Sequence, residues 1–289
     1  MSAIASDRPA PDRKPLLLTG AAGWLGRHPR PHLLKRNGAL RSSDILEFGP
    51  ALPGEEIVRA DLADAAAVDA LVEGCGSIVH FGGIRIEDSF DSILRANIVG
   101  TFNVFDAARR HGVKRVVYAS SVHAIGYYPS SQKIDSLVPH RPDGYYGVSK
   151  AFAEDLGRLY VDKAGMEIAC LRIGTVLQEP RVARHLSTYL SFADLFRLVD
   201  ACLDQPDMGF AVVYGSSNNT RGYWDNSKSG VDYRPQDNAE TFAGQFAGQP
   251  AADPQDPAAM YQGGPFIPLD FGERPVDVGE RPKDRAASK

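Results

Sequence analysis

The segment that most constrains the fold is a set of glycines directly after the first apolar stretch. Residues 16–18 are all leucine, and residues 19–26 follow as Thr-Gly-Ala-Ala-Gly-Trp-Leu-Gly, with the spacing G-x-x-G-x-x-G. Glycine lets the backbone turn sharply and approach a pyrophosphate, and amide groups at the start of a helix hold the phosphate charge. The segment predicts a strand, a tight turn and a helix that bind a dinucleotide. The predicted contacts are Gly20, Gly23, Trp24, Leu25 and Gly26.

Strand and helix patterns alternate from this turn as far as residue 173. The helical patterns carry apolar side chains three to four positions apart, as Val68, Leu71 and Val72 do. Such alternation is typical of an α/β fold with a doubly wound parallel sheet (Rossmann-like), whose ligands bind at the carboxyl ends of the strands. The strands are predicted at residues 16–18, 44–48, 57–60, 77–81, 115–119 and 167–173.

A tyrosine and a lysine four positions apart suggest proton-transfer chemistry. They are Tyr146 and Lys150, and in a helix this spacing places both side chains on one face. A buried cation favours the phenolate, so the pair can exchange a proton near neutral pH. Ser121 follows the strand at 115–119 and can donate a hydrogen bond to the same substrate oxygen. We predict these three residues as catalytic; because the spacing is common, a pair on a helix surface is the alternative.

An acidic residue at the end of the second predicted strand indicates which dinucleotide is bound. Glu47 lies 47 − 26 = 21 positions beyond the last glycine of the turn. A carboxylate there accepts from a ribose 2′-hydroxyl and repels a 2′-phosphate, which favours NAD over NADP. A solvated charge at a strand end is the alternative. The other predicted cofactor contacts, besides Tyr146 and Lys150, are Asp61 and Leu62 near the adenine, Gly82 and Gly83 after the fourth strand, and Asn97 in the next helix.

Composition argues against several classes of protein. The 289-residue chain has a net charge of -4 and a pI near 6.0, so it offers no basic surface for nucleic acid. Its three cysteines are scattered in apolar segments, which predicts reduced core residues rather than a metal site. No signal peptide is predicted, and no apolar run approaches the ~18 residues of a membrane span. We expect a cytoplasmic protein that binds no metal and no membrane.

After residue 173 the alternation loosens, which predicts a second, smaller unit. A helix is predicted at 186–203 and a strand at 210–214, and the chain beyond residue 244 is rich in Pro, Ala, Gln and Gly. We therefore predict four parts. They are a disordered extension (1–13), an NAD-binding Rossmann-like domain (14–175), a small C-terminal substrate lobe packed on it (176–268) and a flexible tail (269–289).

With the glycine turn, Ser120-Ser121 and the Tyr146–Lys150 pair in register, the chain resembles the extended short-chain dehydrogenase/reductase superfamily. Within it, the chain is similar to the bacterial uronate dehydrogenases over roughly residues 14–266. The similarity rests on short motifs, of which the last four are the most specific. They are Asp61-Leu62-Ala63-Asp64, residues 78–84, Ile125-Gly126-Tyr127-Tyr128-Pro129, Arg141-Pro142-Asp143-Gly144, Leu186-Ser187-Thr188 and Trp224-Asp225-Asn226-Ser227.

The resemblance implies an activity and a set of roles. In that family NAD accepts a hydride from C1 of a cyclic hexuronic acid, D-glucuronate or D-galacturonate, and an aldarolactone forms. The resemblance implies that Tyr146 is the base, Lys150 its activator and a ligand of the cofactor ribose, and Ser121 a ligand of the substrate hydroxyl. It also suggests a homo-oligomer. The other substrate ligands that it implies are Arg184, for the carboxylate, and His123 and Thr175, which would line the pocket.

Three departures from the family pattern bear on these roles. Val122 lies where the family has an asparagine that contacts substrate, and its side chain makes no hydrogen bond. Arg85 replaces a small hydroxyl residue after Gly-Gly-Ile, as either an additional carboxylate ligand or a solvated loop charge. We include both among the predicted substrate-binding residues. Pro29 and Pro31 each remove a backbone hydrogen bond from the predicted first helix, which is then kinked or short, or else cofactor binding is weakened.

Two alternatives to uronate oxidation follow from the same residues. One is a dehydrogenase or epimerase for another sugar acid or a nucleotide sugar; a nucleotide sugar needs a larger substrate lobe than the stretch after Arg172 predicts. The other is a non-catalytic NAD(H)-binding sensor, which Val122 and the two prolines favour and the retained Ser121, Tyr146 and Lys150 disfavour.

Overall fold

The structure, a computed structural model, describes residues 14–249 and 253–275. Its strands are β1 (Leu16–Thr19), β2 (Leu40–Asp44), β3 (Glu55–Arg59), β4 (Ser77–His80), β5 (Arg115–Tyr118), β6 (Ile134–Asp135), β7 (Glu167–Ile173), β8 (Thr175–Val176), β9 (Tyr189–Leu190), β10 (Phe210–Gly215) and β11 (Trp224–Asp225). Its α-helices are α1 (Arg30–Asn37), α2 (Ala65–Val72), α3 (Phe90–Ile93), α4 (Gly100–Arg110), α5 (Tyr145–Ala164), α6 (His185–Thr188), α7 (Phe192–Asp204) and α8 (Pro257–Met260). A π-helical segment, Leu94–Val99, joins α3 to α4.

Seven of these strands form one parallel sheet in the order β10-β7-β5-β4-β1-β2-β3. The order reverses between β1 and β4, and in such sheets ligands bind outside the carboxyl ends of the strands at this reversal. Helices cover both faces, because successive side chains of a strand point to opposite sides: Leu16 and Leu18 enter the core under α1 and α7, and Leu17 enters the core under α2, α4 and α5. The predicted doubly wound, Rossmann-like α/β fold is confirmed.

The first helix is short because of its prolines. α1 begins only at Arg30, and residues 20–29 form turns between β1 and the helix. Pro29 and Pro31 have no amide hydrogen, so neither can bond to the carbonyl one helical turn earlier. The carbonyl of Pro29 nevertheless accepts from the Leu33 amide at 2.8 Å, which starts the regular helix. Of the predicted consequences of the prolines, the short helix is the one observed.

The prediction for the second strand is wrong. β2 ends at Asp44, and most of the run predicted as strand, residues 44–48, lies beyond it in a loop where Ile45 and Leu46 are exposed. The true strand reads Leu-Arg-Ser-Ser-Asp and buries two serines, so hydrophobic patterning did not reveal it. Ser42 is satisfied there by a hydrogen bond of 2.5 Å to Glu55.

The chain after β7 contributes to the main sheet. β10 pairs with β7 at the sheet edge, and α7 packs in the core under β1. The predicted helix at 186–203 is interrupted, because Ser191 caps α7 by accepting the Asp194 amide at 2.9 Å. The division of the chain at residue 175 stays a prediction. The predicted extension at 1–13 and the part of the predicted tail beyond residue 275 lie outside the described residues.

Three further features concern the predicted compartment and ligands. Within the described ranges, no helix is long and apolar enough to cross a membrane. No cluster of three or more His, Cys, Asp or Glu side chains there could hold a metal ion. The three cysteines are buried and unpaired, as predicted: Cys75, Cys170 and Cys202.

Candidate active site

The glycine-rich turn after β1 lies at the carboxyl edge of the sheet, beside the reversal of the strand order; this region, where such sheets bind ligands, is here called the cleft. Gly20 has a φ of 70°, and a Cβ there would lie 2.6 Å from the Gly82 amide nitrogen. A Cβ on Gly26 would overlap the carbonyl oxygen of Gly20, so both positions require glycine for steric reasons. Gly23 donates its amide to the Gly20 carbonyl at 3.1 Å. A turn held this tightly leaves backbone close to the cleft, which fits a dinucleotide pyrophosphate.

The residues between the last two glycines join the turn to the end of β8. The Trp24 indole donates to the Val176 carbonyl at 2.9 Å, and the Arg27 guanidinium lies 4.6 Å from the Trp24 ring centroid. Leu25 is half-buried and packs on the core under α1 and α7. A cavity of about 300 Å³ opens beside this join, lined by Trp24, Gln178, Glu179, Pro180 and Arg181.

Asp44, rather than Glu47, is the carboxylate at the end of β2. Its two oxygens accept the amides of Ala22 and Leu46, each at 3.0 Å, which places the carboxylate against the glycine turn. Glu47 lies three residues past the strand, with its side chain 89% exposed and 3.6 Å from Arg59. Of the two carboxylates, Asp44 is therefore the one held beside the glycine turn, 44 − 26 = 18 positions after Gly26.

Gly82, one of the predicted contacts after β4, borders the same turn. Leu62 packs against Gly82, where a Cβ would lie 2.5 Å from its Cδ1 atom. Asp61 is engaged by Arg95 at 2.7 Å. Gly83 has a φ of 132°, which favours glycine, and a Cβ there would lie 2.9 Å from the Asn97 Oδ1 atom.

Asn97 connects this backbone to α5. Its side chain accepts the Ile84 amide at 2.7 Å, donates to the Ile84 carbonyl at 2.9 Å and donates to the Ser149 hydroxyl at 3.1 Å. It is 1% exposed and lies in the π-helical segment. Asn97 thus fixes the loop after β4 against the helix that carries Tyr146 and Lys150.

Tyr146, Lys150 and Ser121 come together as predicted from their spacing. All three are buried, with exposures of 7%, 5% and 5%. The Lys150 ammonium lies 5.3 Å from the Tyr146 ring centroid and donates to the Tyr118 hydroxyl at 3.1 Å and the Ala119 carbonyl at 2.7 Å. Its partners are therefore neutral groups.

Burial dominates the protonation of this pair. It raises the pKa of Tyr146 to about 12, although a hydrogen bond with Ser121 acts in the opposite direction. It lowers the pKa of Lys150 to about 7, against the weaker attraction of Glu154. The predicted lowering of the tyrosine pKa is therefore reversed, because the low-dielectric site disfavours both charged forms. A lysine that titrates near neutral pH beside the phenol suits proton exchange.

A carboxylate from another segment holds the start of α5. Both oxygens of Glu87 accept backbone amides, from Tyr145 at 2.8 Å and from Tyr146 at 2.9 Å. Glu87 is 2% exposed, and a negative charge at a helix N-terminus is favourable. It fixes the backbone of the predicted base, and no local sequence pattern marked it.

A buried ion pair lies behind the cleft, one turn further along α5. Glu154 accepts from Arg172 at 2.8 Å, from Ser120 at 2.5 Å and from His140 at 2.8 Å. Burial alone would raise the pKa of Glu154, but hydrogen bonds from His140 and Arg172, with the charge of Arg172, lower it. These groups hold α5 against β5 and β7.

His123 and Phe266 form an aromatic pair beside Tyr146. The His123 ring stacks on Phe266 with centroids 3.8 Å apart and meets the Tyr146 ring edge-on at 5.6 Å. Its Nδ1 atom lies 2.8 Å from Asp143, whose side chain is 1% exposed. A buried carboxylate of this kind fixes the orientation of an imidazole. Asp143 was not among the predicted site residues, although its motif was noted.

Val122 and Arg85, the departures at predicted substrate-binding positions, lie in different surroundings. Val122 is buried at 6% and packs in a cluster with Tyr128, Ile134 and Trp224. Arg85 is exposed, and its charge still reaches Tyr146 strongly enough to oppose the rise in the pKa of that phenol.

The far end of the cleft carries the predicted carboxylate ligand. The Arg184 guanidinium donates to the Gln262 carbonyl and lies over Gly264, where a Cβ would come within 2.5 Å of it. The Thr175 hydroxyl is bonded to that of Thr188 at 2.9 Å. Residues 262–266 therefore run from a contact with Arg184 at Gln262 to the Phe266 ring, which lies beside His123 and Tyr146. Gln262 was missed because it lies 78 positions from Arg184 in sequence.

Comparisons with known proteins identify the family of the chain. The NAD dependent epimerase/dehydratase family matches residues 16–193. The chain is 49% identical over 262 residues to a uronate dehydrogenase of Pseudomonas syringae pv. tomato, covering 90% of this chain and 95% of that protein.

Two solved structures extend this similarity to the fold. A glucuronic acid dehydrogenase from Chromohalobacter salexigens is 46% identical, with 90% of this chain and 98% of that chain covered and a TM-score of 0.87. A mutant uronate dehydrogenase from Agrobacterium tumefaciens, complexed with NAD, is 47% identical, with 89% and 98% covered and a TM-score of 0.86. The chain therefore belongs to the NAD dependent epimerase/dehydratase family and, within it, to the uronate dehydrogenases.

Proposed function

We propose that the protein oxidises a hexuronic acid, D-glucuronate or D-galacturonate, at C1 with NAD and releases an aldarolactone. The observation that carries the proposal is the short segment 262–266. Its first residue, Gln262, accepts a hydrogen bond from the Arg184 guanidinium, and its last, Phe266, lies against the Tyr146 ring. A cation at a fixed distance from a proton acceptor suits a sugar that carries a carboxylate at one end and a reacting hydroxyl at the other.

The cofactor half of the cleft is assigned to NAD. The tight turn at Gly20 and Gly26 offers backbone to the pyrophosphate, and Asp44 takes the role first predicted for Glu47, that of accepting from the adenosine ribose. A carboxylate there repels a 2′-phosphate and so favours NAD over NADP. Lys150 has three donors and bonds to one hydroxyl and one carbonyl, which leaves a donor for the other ribose.

Tyr146 is assigned the role of general base. It takes the proton of the C1 hydroxyl while the hydride leaves from C1, and Ser121 donates a hydrogen bond to the same substrate oxygen. NAD supplies the hydride acceptor and a positive charge that favours the phenolate. Asn97 and Glu87 hold the surrounding backbone and so keep these groups in register.

Arg184 is assigned to the substrate carboxylate, and His123 and Thr175 to the pocket walls. Arginine presents several donors in one plane and can hold both oxygens of a carboxylate. Arg85 retunes selectivity from the mouth of the cleft, and Val122 forms an apolar wall. Neutral sugars are then poor substrates, because they leave the guanidinium without a counter-charge.

NADH formation with a panel of substrates tests this function. The purified protein is given NAD with glucuronate, galacturonate, glucose, galactose and a nucleotide sugar, and with NADP in parallel. Uronates are expected to be oxidised efficiently and the neutral sugars poorly. Preference for the nucleotide sugar supports the second enzyme hypothesis, and NAD binding without turnover on any substrate supports the sensor.

We also propose a homo-oligomer that uses the outer faces of α4 and α5. Phe102 on α4 and Val148 and Leu159 on α5 are apolar and exposed, at 46%, 42% and 46%. Apolar exposure on two adjacent helices is typical of an interface. Light scattering measures the mass, and Phe102→Glu is expected to lower it; an unchanged mass contradicts the use of this face.

A cytoplasmic location is proposed from the cysteines. All three thiols are buried and unpaired, as is usual in a reducing compartment. Fractionation of the source cells with an antibody tests this, and recovery outside the cytoplasm contradicts it.

A further inference from the structure

Asp143 is a buried carboxylate to which the proposed reaction assigns no role. Its side chain is 1% exposed, and one of its oxygens, Oδ1, has no hydrogen-bond partner among the described residues. Gly126 and Gly263 make room for the carboxylate, because a Cβ on either glycine would overlap the other oxygen, Oδ2. An unpaired oxygen on a buried carboxylate is destabilising, so its presence needs a specific explanation.

The charge of Asp143 is also unfavourable for the proposed base. Burial is the main cause that raises the pKa of Tyr146, and the negative charge of Asp143 adds to the rise. A higher pKa leaves less phenolate at a given pH and so slows proton abstraction. Neither the stability of the fold nor the basicity of Tyr146 therefore explains a carboxylate at this position.

The Asp143 carboxylate bonds to a residue that lies beside both groups assigned to the C1 hydroxyl. Its Oδ2 atom is 2.8 Å from Nδ1 of the His123 imidazole. The His123 amide donates to the Ser121 hydroxyl at 3.2 Å, and the His123 ring meets that of Tyr146 edge-on, with centroids 5.6 Å apart. Asp143 can therefore act on the reaction through His123.

The surroundings of the imidazole indicate which of its nitrogens is left for a ligand. A carboxylate accepts hydrogen bonds, so Nδ1 carries the hydrogen, and in a neutral ring Nε2 is then an acceptor. The His123 ring stacks on Phe266, and its Nδ1 atom faces the buried Asp143, yet the side chain is 15% exposed. The accessible surface therefore lies on the rest of the ring, whose polar atom is Nε2.

We propose that Asp143 is a positioning residue, which holds His123 as the Nδ1–H tautomer so that Nε2 accepts a hydrogen bond from a hydroxyl of the sugar. The inference rests on the proposed function of the site. The resemblance to the uronate dehydrogenases assigns His123 to the pocket wall, and the buried carboxylate adds the direction of its hydrogen bond. A sugar hydroxyl is the group that such an acceptor selects, because a carboxylate or a ring oxygen has no hydrogen to donate.

The nitrogen resonances of the imidazole test the tautomer without turnover. The protein is isotopically labelled at its histidine nitrogens and measured at about pH 9, where an imidazole is neutral, and His123→Gln assigns the signals. The wild type should carry its proton on Nδ1. In Asp143→Asn the amide offers a donor as well as an acceptor, so both tautomers should be populated. A wild-type ring protonated on Nε2, or one unchanged tautomer in both proteins, overturns the proposal.

A double-mutant cycle tests whether Asp143 acts through the imidazole. Asp143→Asn is expected to lower kcat/KM for glucuronate and galacturonate about tenfold, the scale of one hydrogen bond. In a His123→Gln background, where the Gln carbonyl can replace Nε2 without help from Asp143, the same substitution should have an effect of less than about twofold. A direct effect of the Asp143 charge on Tyr146 would persist in that background. Equal effects in both backgrounds overturn the proposal.

Asp200→Asn is the matched control from a pair outside the cleft. Asp200 on α7 lies 2.8 Å from Nε2 of His32 on α1, so this variant alters a histidine–aspartate bond of the same length and should leave kcat/KM unchanged. The wild-type tautomer needs no variant of Asp143 and decides the question if Asp143→Asn does not fold. If the wild type does not oxidise uronates, the proposed function itself fails; if it does and the cycle shows equal effects, this inference alone fails.

Discussion

Two charged groups on successive turns of α5 are balanced in opposite ways. On the cleft side, Lys150 donates to the Tyr118 hydroxyl and the Ala119 carbonyl, and burial lowers its pKa to about 7. One turn later, Glu154 is as deeply buried but pairs with Arg172, and its pKa is lowered in spite of burial. The charge of Glu154 is neutralised by another side chain, whereas the hydrogen-bond partners of Lys150 in the described residues are neutral.

The same contrast extends over the rest of the cleft. Arg184 is bonded to a backbone carbonyl and Asp44 to two backbone amides, and neither has an ion-pair partner in residues 14–249 or 253–275. At the opposite end of the sheet, where β5 and β7 begin, Arg115 and Glu167 are paired at 2.6 Å. Unpaired charges of both signs at one end of the sheet are typical of a site that binds charged ligands.

The largest expected effect comes from breaking the buried Glu154–Arg172 ion pair. Glu154→Gln keeps the shape of the side chain and leaves Arg172 buried without a counter-charge. The free energy of unfolding should fall by about 3 to 5 kcal/mol, measured by urea denaturation. Asp155→Asn, at a neighbouring position with its side chain 80% exposed, is the control and should change little. If Glu154→Gln lowers the free energy of unfolding no more than the control does, the Glu154–Arg172 pair does not hold the fold.

Breaking the cleft side at Arg184 should affect catalysis instead. Arg184→Ala is expected to lower kcat/KM for glucuronate by about 2 to 4 kcal/mol, the scale of losing one partner of a desolvated charge pair. Arg221→Ala removes an exposed arginine paired with Glu240 and should leave kcat/KM unchanged. If Arg184→Ala lowered efficiency on glucose as much as on glucuronate, Arg184 would not be the carboxylate ligand.

The pH dependence of stability sharpens the contrast at Lys150. Its pKa is lower in the folded protein than in the unfolded chain, so the unfolded state binds more protons and the free energy of unfolding rises with pH above about 7. Lys150→Met removes this contribution to the pH dependence of the free energy of unfolding. Between about pH 7 and pH 9 the wild type should gain about 2 kcal/mol relative to the variant. Lys163→Met, at an exposed lysine of the same helix, should show no such change, and a pH-independent difference for Lys150→Met would mean that Lys150 keeps its charge.

The smallest expected effect concerns the cofactor carboxylate. Asp44→Asn should weaken NAD binding by about 1 to 2 kcal/mol and weaken NADP binding less, because the repulsion of a 2′-phosphate is also lost. Titration of both cofactors measures this. Glu47→Gln is the matched control with an exposed side chain and should leave both affinities unchanged; the opposite pattern would return the role to Glu47.

The glycine turn and the proximity of Tyr146 and Lys150 were predictable from sequence because their geometry is local. A positive φ at Gly20 and the close approach of Gly26 to Gly20 admit only glycine, so the turn is visible as a glycine motif. A helix brings residues four apart together, so the Tyr146–Lys150 pair is visible as a spacing. Asp44, the proposed ribose ligand, was not predicted because β2 is polar and buries two serines, which placed the predicted strand too far along the chain.

The substrate half could not be assembled in the same way. Arg184, Trp224 and Gln262 meet through tertiary contacts between segments with no common period, and Glu87 reaches the start of α5 from 59 positions away. The resemblance to a family supplied Arg184, His123 and Thr175.

The most direct test of the account is to measure turnover and stability together for Tyr146→Phe. This variant deletes the proton acceptor of the unpaired cleft and leaves the Glu154–Arg172 pair intact. NADH formation from glucuronate should fall by at least ~10², while NAD affinity is retained and the free energy of unfolding changes by less than about 1 kcal/mol. Turnover near that of the wild type, or a loss of stability comparable with that of Glu154→Gln, would contradict the division between charges that serve the reaction and charges that hold the fold.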